Sequence, residues 1–386
     1  METLTILFVL LATSYFLSKI VKKFKLPTVL GPIYVGLIIS IFFKEYIPEL
    51  SGLESFADLG LIFIMFYIGL ELNFSLFFKK PGRLLSLSAF NIIIPIVVTY
   101  IVMKLIGFNS IVSIIMGLIM TVTATAISIE ILKEYGLLES RFGQSIIFSA
   151  TLDDIFEVIF LPILITYVDK GDLSLTVLIF NILIFFTVIY ASRFLIIPYV
   201  IRFLDNDEKS QLFIIGTLMV LLVSIISEYL GFGELIGALI AGVIVKFTLL
   251  NAEEYQGKKD MTELFEAATF GFLAPFFFIW VGINTDLSHI LSNPGLGIIL
   301  TLLAIFTKVI GSIIGNYIGK GKFSEGLIIG VGMSNKGMVT LVGAEIARAA
   351  GLIDQELFSA IIFMIVLTTI ISPLLFNKLI KKINIS

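Results

Sequence analysis

Apolar runs of about 20 residues follow one another along almost the whole chain, each long enough to cross a hydrocarbon core of roughly 30 Å. That pattern leaves few folds open. In lipid every backbone N–H and C=O must be paired within the protein, and helices achieve this segment by segment. Composition agrees, since 58% of the 386 residues are hydrophobic and 14% are charged, against roughly 25% charged in soluble domains. The first run, residues 3–20, is followed at once by "KKFK" and lacks the cleavage signature of a leader, so it reads as a retained helix. There is no Cys and one His, His289, which leaves no thiol chemistry and no credible metal hydrolase site.

Turn residues and charges divide the chain into thirteen segments, starting near residues 3, 28, 54, 84, 110, 140, 173, 209, 232, 261, 294, 324 and 356. Basic residues test this division, because Lys and Arg concentrate on cytoplasmic loops. Nineteen fall after odd-numbered segments or at the C-terminal end, and four (Lys44, Lys104, Lys170, Arg348) fall on the other side. The alternation predicts an N-terminus outside and a C-terminus inside. Arg193, Lys308 and Lys336 remain within segments, Arg193 reading as a snorkelling side chain near a segment end.

The two halves echo each other. Gly69 in "FYIGLEL" and Gly282 in "IWVGINT" lie 213 residues apart, as do Gly117 in "IIMGLIM" and Gly330 in "IIGVGMS". Gly136 in "EYGLL" and Gly351 in "AAGLI" follow at 215. Segments one to six therefore correspond to eight to thirteen, with segment seven as a joint. Corresponding segments are seven apart, an odd number, so the halves are expected in opposite orientations. Inverted repeats are a device of alternating-access transport, with the substrate site near the midplane where interrupted helices meet. "TVTATAIS" (residues 121–128) and "GMSNKGMV" (residues 332–339) sit at corresponding depth and carry hydroxyls, Asn and Gly that tolerate a broken helix.

The stretch "SATLDDIFEVIF" places Asp153, Asp154 and Glu157 in an apolar segment. Intramembrane charges cost about 2.5–3.5 kcal/mol each on insertion scales and read as functional. Neighbouring helical residues point about 100° apart, so Asp153 and Asp154 face different surroundings, and Glu157 follows one turn on as an auxiliary acid or entrance group. Segment eleven offers a cation, Lys308, followed by Gly311, Gly315 and Gly319, whose four-residue spacing makes a smooth packing face. Lys336 is suited to compensating the partial charges of broken helix ends.

"TATA", "TLDDI", "TKVIG" and "GVGMSNKGMV" together resemble the transmembrane part of the cation:proton antiporter family of NapA, GerN and Kef type, along essentially all thirteen segments. The resemblance implies an all-α membrane protein of NhaA/NapA-like fold: thirteen transmembrane helices, two inverted six-helix repeats joined by a linker helix, and two crossed discontinuous helices. It implies a division into residues 1–82 and 207–290 as a dimerising scaffold, 83–170 and 291–386 as a moving core, and 171–206 as linker. The double Asp matches the Na+/H+-exchanging form, whereas Kef-type potassium systems place Gln before the Asp.

Carried over, Asp154 binds Na+ or a proton, Asp153 partners Lys308, and Thr123 and Thr125 line the crossing. The expected activity is electrogenic Na+/H+ antiport, with Li+ a further substrate and pH homeostasis its role. The setting is a homodimer in the cytoplasmic membrane, with no cofactor and no nucleic acid. The family's Pro-Arg-Gly-Glu is here Asn335-Lys336-Gly337-Met338, keeping the cation and losing the acid. Glu157 also departs from the pattern. The short tail "KKINIS" leads to no expectation of a Kef-type nucleotide-binding domain. The alternatives are a Kef-type K+/H+ antiporter and a Na+-coupled organic-solute symporter, which needs a roomier polar cavity. An intramembrane aspartyl protease needs two acids face to face, and adjacent acids on one helix point apart.

Overall fold

The structure, a computed structural model, describes residues 2–23, 27–43, 51–71, 82–124, 126–150, 152–153, 156, 183–184, 187, 209–229, 233–246, 258–286, 288, 290 and 294–384. Every regular element among these is helical, as the lipid constraint requires. The helices are α1 (Glu2–Lys23), α2 (Leu30–Phe42), α3 (Ser51–Glu71), α4 (Gly82–Ile106), α5 (Ser110–Ile119), α6 (Ala126–Glu134) and α7 (residues 141–150). They continue with α8 (Lys209–Tyr229), α9 (Glu234–Val245), α10 (Lys258–Ala268) and α11 (Ala274–Ile283), the last two joined by a π-helical turn, Thr269–Leu273. The chain ends with α12 (Pro294–Ile318), α13 (Phe323–Gly332), α14 (Met338–Ala349) and α15 (Gln355–Asn384). Among the described residues six helical stretches are long and apolar enough to cross a membrane, and shorter apolar helices include α2, α5, α9 and α13. Arg193 and His289 lie outside the described residues, as does the expected seventh segment apart from residues 183–184 and 187.

The chain forms two compact units. The first draws on Met1–Leu17, Gly31–Leu72 and Pro162–Ile283. Between helices in lipid, apolar burial gives little drive, and close backbone approach through small residues takes its place. Two such crossings hold this unit. A Cβ on Gly36 of α2 would sit 2.7 Å from the Gly282 Cα of α11, and a Cβ on Gly282 2.9 Å from the Gly36 Cα. Gly69 of α3 and Gly242 of α9 meet in the same reciprocal way, at 3.0 and 2.9 Å.

The second unit comprises Ser18–Leu30, Asn73–Leu161 and Asn284–Ser386. Its spine is α4 against α12. The glycine stripe foreseen in segment eleven is the contact: Gly311 faces Phe90, Gly315 faces Leu87 and Gly319 faces Arg83, so the two helices run antiparallel. Arg83 then closes one end. Its guanidinium donates to Asn316 Oδ1 of α12 (2.7 and 3.1 Å) and to Glu325 Oε2 of α13 (3.0 Å), a forked arrangement suited to planar acceptors.

Helix bounds in this unit recur at nearly one separation. α4 and α12 match end to end at 212 residues, and α5 and α13 at 213. Packing recurs with them. Gly117 of α5 rests on Ile96 of α4, and Gly330 of α13 rests on Val309 of α12, both partners again 213 apart. α6 and α14 end alike: Gly136 (φ 66°) and Gly351 (φ 68°) adopt the left-handed conformation that glycine allows without strain. Leu137 and Leu352 then donate back to Leu132 and Ala347, the Schellman closure of a helix C-terminus.

Candidate functional site

Both foreseen interruptions are present. α5 stops at Ile119, residues 121–124 are non-helical, and α6 starts at Ala126; α13 stops at Gly332, residues 334–337 are non-helical, and α14 starts at Met338. A helix end leaves its last carbonyls without helical donors, and inside a membrane unit water cannot be relied on to meet them. The two breaks meet each other's needs. Ala124 N donates to the Asn335 carbonyl (2.8 Å), and Asn335 Nδ2 returns a bond to the Ala124 carbonyl (3.2 Å). Thr123 Oγ1 donates to the carbonyl of Met333, the residue that ends α13 (2.9 Å). Lys336 Nζ donates to the carbonyl of Met120, the residue that ends α5 (2.6 Å), and also to Val122 O.

Met120 and Met333 are 213 residues apart, as are Thr123 and Lys336. The caps are thus the same contact made twice, once by a hydroxyl and once by an ammonium. A cation at the C-terminal end of α5 complements its negative pole. At α13 the side-chain donors among the described residues are hydroxyls, with Ser128 Oγ on Gly332 O (2.6 Å) and Ser334 Oγ on Val331 O (2.8 Å). α15 anchors the second break through Thr368, which accepts from Lys336 N (3.3 Å), and Thr369, which donates to Lys336 O (3.2 Å).

Beside the crossing lies a fully buried ion pair between Lys308 of α12 and Asp153, just beyond α7. Lys308 Nζ donates to Asp153 Oδ2 and to the backbone carbonyl of Asn91 on α4 (3.2 Å). Thr123 Oγ1 also stands 3.2 Å from Asp153 Oδ2. A hydroxyl has one proton, so Thr123 can serve the Met333 carbonyl or the carboxylate fully, but not both. The other carboxylate oxygen, Asp153 Oδ1, and Asn335 Oδ1 are buried acceptors with no hydrogen-bond partner among the described residues. Buried oxygens of this kind suit a hard cation or a proton as ligand.

A model of the family described as sodium/hydrogen exchanger, transmembrane, matches residues 7–381. The chain belongs to this family. This exchanger-family chain is 28% identical over 389 residues to a Na+/H+ antiporter of Enterococcus hirae, covering 99% of both chains. It is 27% identical to the Na+/H+-K+ antiporter GerN of Bacillus cereus, covering 90% of this chain and 88% of GerN. Its fold is that of the sodium proton antiporter MjNhaP1 from Methanocaldococcus jannaschii, with a TM-score of 0.70 and 19% identity over 98% of this chain and 96% of that one. The family is one of membrane transporters rather than enzymes.

The structure brings together Asp153, Lys308, Thr123 and Lys336 of the exchanger's foreseen residues. Asp154, Thr125 and Glu157 lie outside the described residues. Sequence reasoning missed Asn91, whose side chain accepts from Ser312 Oγ (2.8 Å) and donates to Ser149 Oγ (3.2 Å), holding α4, α7 and α12 together around the lysine. It also missed Glu345 of α14, paired through both carboxylate oxygens with Arg348 (2.6 and 2.9 Å). The (i, i+3) spacing of that pair was a usable signal.

Proposed function

We propose that the chain is a secondary active antiporter that exchanges Na+ for H+ across the cytoplasmic membrane. The observation that carries this reading is the buried Asp153–Lys308 pair set against two mutually capped helix breaks. The relatives from Enterococcus hirae and Bacillus cereus, named for Na+/H+ exchange, support it.

Asp154 binds Na+ and H+ competitively, with Thr123, Thr125 and Asp153 at the crossing and Glu157 an auxiliary acid one turn away. Na+ entering displaces a proton, and the returning proton rides the same carboxylate. When Asp153 releases Lys308, the ammonium gives up a second proton, so the exchange is electrogenic. Lys336 compensates the crossing's partial charges throughout.

Thirteen transmembrane helices in two inverted repeats around a linker, with the N-terminus outside, provide the alternating access. The recurring offsets and the antiparallel pairing of the matching helices α4 and α12 support that arrangement. Residues 83–170 and 291–386 form the moving core, and residues 1–82 and 207–290 a scaffold that dimerises. Li+ is a second substrate.

In everted vesicles loaded with a pH-sensitive dye, added Na+ is expected to release protons from the wild type and not from Asp154→Asn. Retained exchange in that variant would overturn the assignment. Responses to K+ alone, or to Na+ only when an organic solute is added, would favour the Kef-type or symporter alternative instead.

A further inference from the structure

Lys308 has two acceptors, and the second is a backbone carbonyl inside a helix, where carbonyls are ordinarily spoken for. In an α-helix the carbonyl of residue i accepts from the N–H of residue i+4. For Asn91 that residue is Pro95, which lies inside α4 and has no N–H to give. The proline ring also crowds the carbonyl four residues back and turns it off the helix axis. The carbonyl so released accepts from Lys308 Nζ at 3.2 Å.

From this geometry we infer that Pro95 is a positioning residue for Lys308: it frees the Asn91 carbonyl to serve as a permanent second acceptor for the buried ammonium. The inference rests on the reading of Lys308 as the coupling lysine. The Asn91 side chain is clamped by Ser312 and Ser149, so the carbonyl has little freedom to move away. Unlike a carboxylate, a carbonyl neither titrates nor binds a competing proton. When Asp153 turns from the lysine toward an arriving cation, the lysine stays charged until its proton departs, and a fully buried ammonium without acceptors would carry a large desolvation cost. The Asn91 carbonyl keeps one acceptor in place and lowers that cost. Pro95 and Lys308 are themselves 213 residues apart, so the proline of one half serves the lysine at the matching place in the other.

The test measures equilibrium 22Na+ binding to the purified full-length protein in four forms: wild type, Pro95→Ala, Lys308→Gln and the double variant. Alanine restores the N–H, which reclaims the Asn91 carbonyl for the helix. The expected result is about tenfold weaker Na+ affinity in Pro95→Ala with the maximal binding unchanged, the loss of one hydrogen bond to a charged group. In the Lys308→Gln background the same change is expected to have no effect. Unchanged affinity in Pro95→Ala overturns the inference. An equal weakening in both backgrounds overturns it too, since the proline would then act through the bend of α4. So does loss of maximal binding in Pro95→Ala or in Lys308→Gln, because a lysine that competes with the cation is not needed to bind it. Pro95→Gly, which also restores the N–H, must repeat the alanine result. Wild-type protein that binds 22Na+ yet shows no Na+-driven proton flux in proteoliposomes would sink the antiport reading and leave the positioning result standing.

Discussion

Removing the carboxylate of Asp153 should cost more than removing the whole ion pair. Both side chains are fully buried, so solvent screening cannot soften the loss. Deleting one partner of a buried pair typically costs about 3–5 kcal/mol, because the other charge is left uncompensated. Asp153→Asn falls at the lower end, since its amide oxygen can still accept from Lys308. Asp153→Leu falls at the upper end, leaving the ammonium, among the described residues, with the Asn91 carbonyl as its one acceptor. Adding Lys308→Met to Asp153→Leu removes the stranded charge. What remains is one buried carbonyl without its donor, about 1–3 kcal/mol. Thr123 is not orphaned, because it still has the Met333 carbonyl.

The double variant is therefore expected to be more stable than Asp153→Leu by about 2 kcal/mol or more. Purified proteins heated in detergent, with the surviving monodisperse fraction read by fluorescence-detected gel filtration, should rank wild type first, then the double variant, then Asp153→Leu. A double variant that melts no later than the single would refute the claim that an uncompensated lysine sets the cost. Neither variant is expected to exchange ions, so the ranking isolates stability from transport.

Lys336→Met should lower the melting midpoint strongly, because two buried carbonyls at the end of α5 lose their donor at about 1–3 kcal/mol each, and the same heating assay reads it. Gly330→Ala should destabilise by about 1–3 kcal/mol and Gly117→Ala by less. The added Cβ would stand 2.5 Å from the Val309 Cα in the first case and 3.0 Å from the nearest Ile96 atom in the second, both of them backbone. Gly52→Ala, with nothing within 4 Å, serves as the neutral comparison, and equal melting of all three would contradict the close-packing account.

Much of this architecture is written in patterns that survive without coordinates. The glycines at 69/282, 117/330 and 136/351 each occupy a place where backbones touch or φ turns positive, so their spacing carried structure and not chance. The hydroxyl-rich and Asn-Lys-Gly stretches announced the breaks because a helix cannot end in lipid without replacement donors. Lys308 stood out by its cost alone. The partners of these groups were harder to read. Lys336 binds the carbonyls of Met120 and Val122, and a backbone acceptor has no residue type by which to recognise it. Asn91 is one polar residue among apolar neighbours in the sequence, and its role emerges only where α4 packs on α12. Arg83 read as a loop charge, yet its guanidinium is largely buried between Asn316 and Glu325. In each case the missing information was which helices are neighbours.

The offset that relates the halves also locates where they differ. Packing positions are copied nearly like for like: Gly117 on Ile96 and Gly330 on Val309, Met120 and Met333 ending their helices, Gly136 and Gly351 closing theirs. Among the copied positions that change chemical character are Thr123 against Lys336, Pro95 against Lys308 and Asn91 against Ala304. An alternating-access protein needs two conformations of similar free energy, and on the proposed reading near-identical packing in two inverted halves gives that similarity at no specific cost. It cannot by itself give ion coupling, which requires one site and not two. Placing both cations in the second half, and a hydroxyl and a proline opposite them in the first, breaks the chemical symmetry while leaving the mechanical one. On this view the lysines cannot be moved without consequence even where the space to receive them exists, because Thr123 already touches the carboxylate that Lys308 holds.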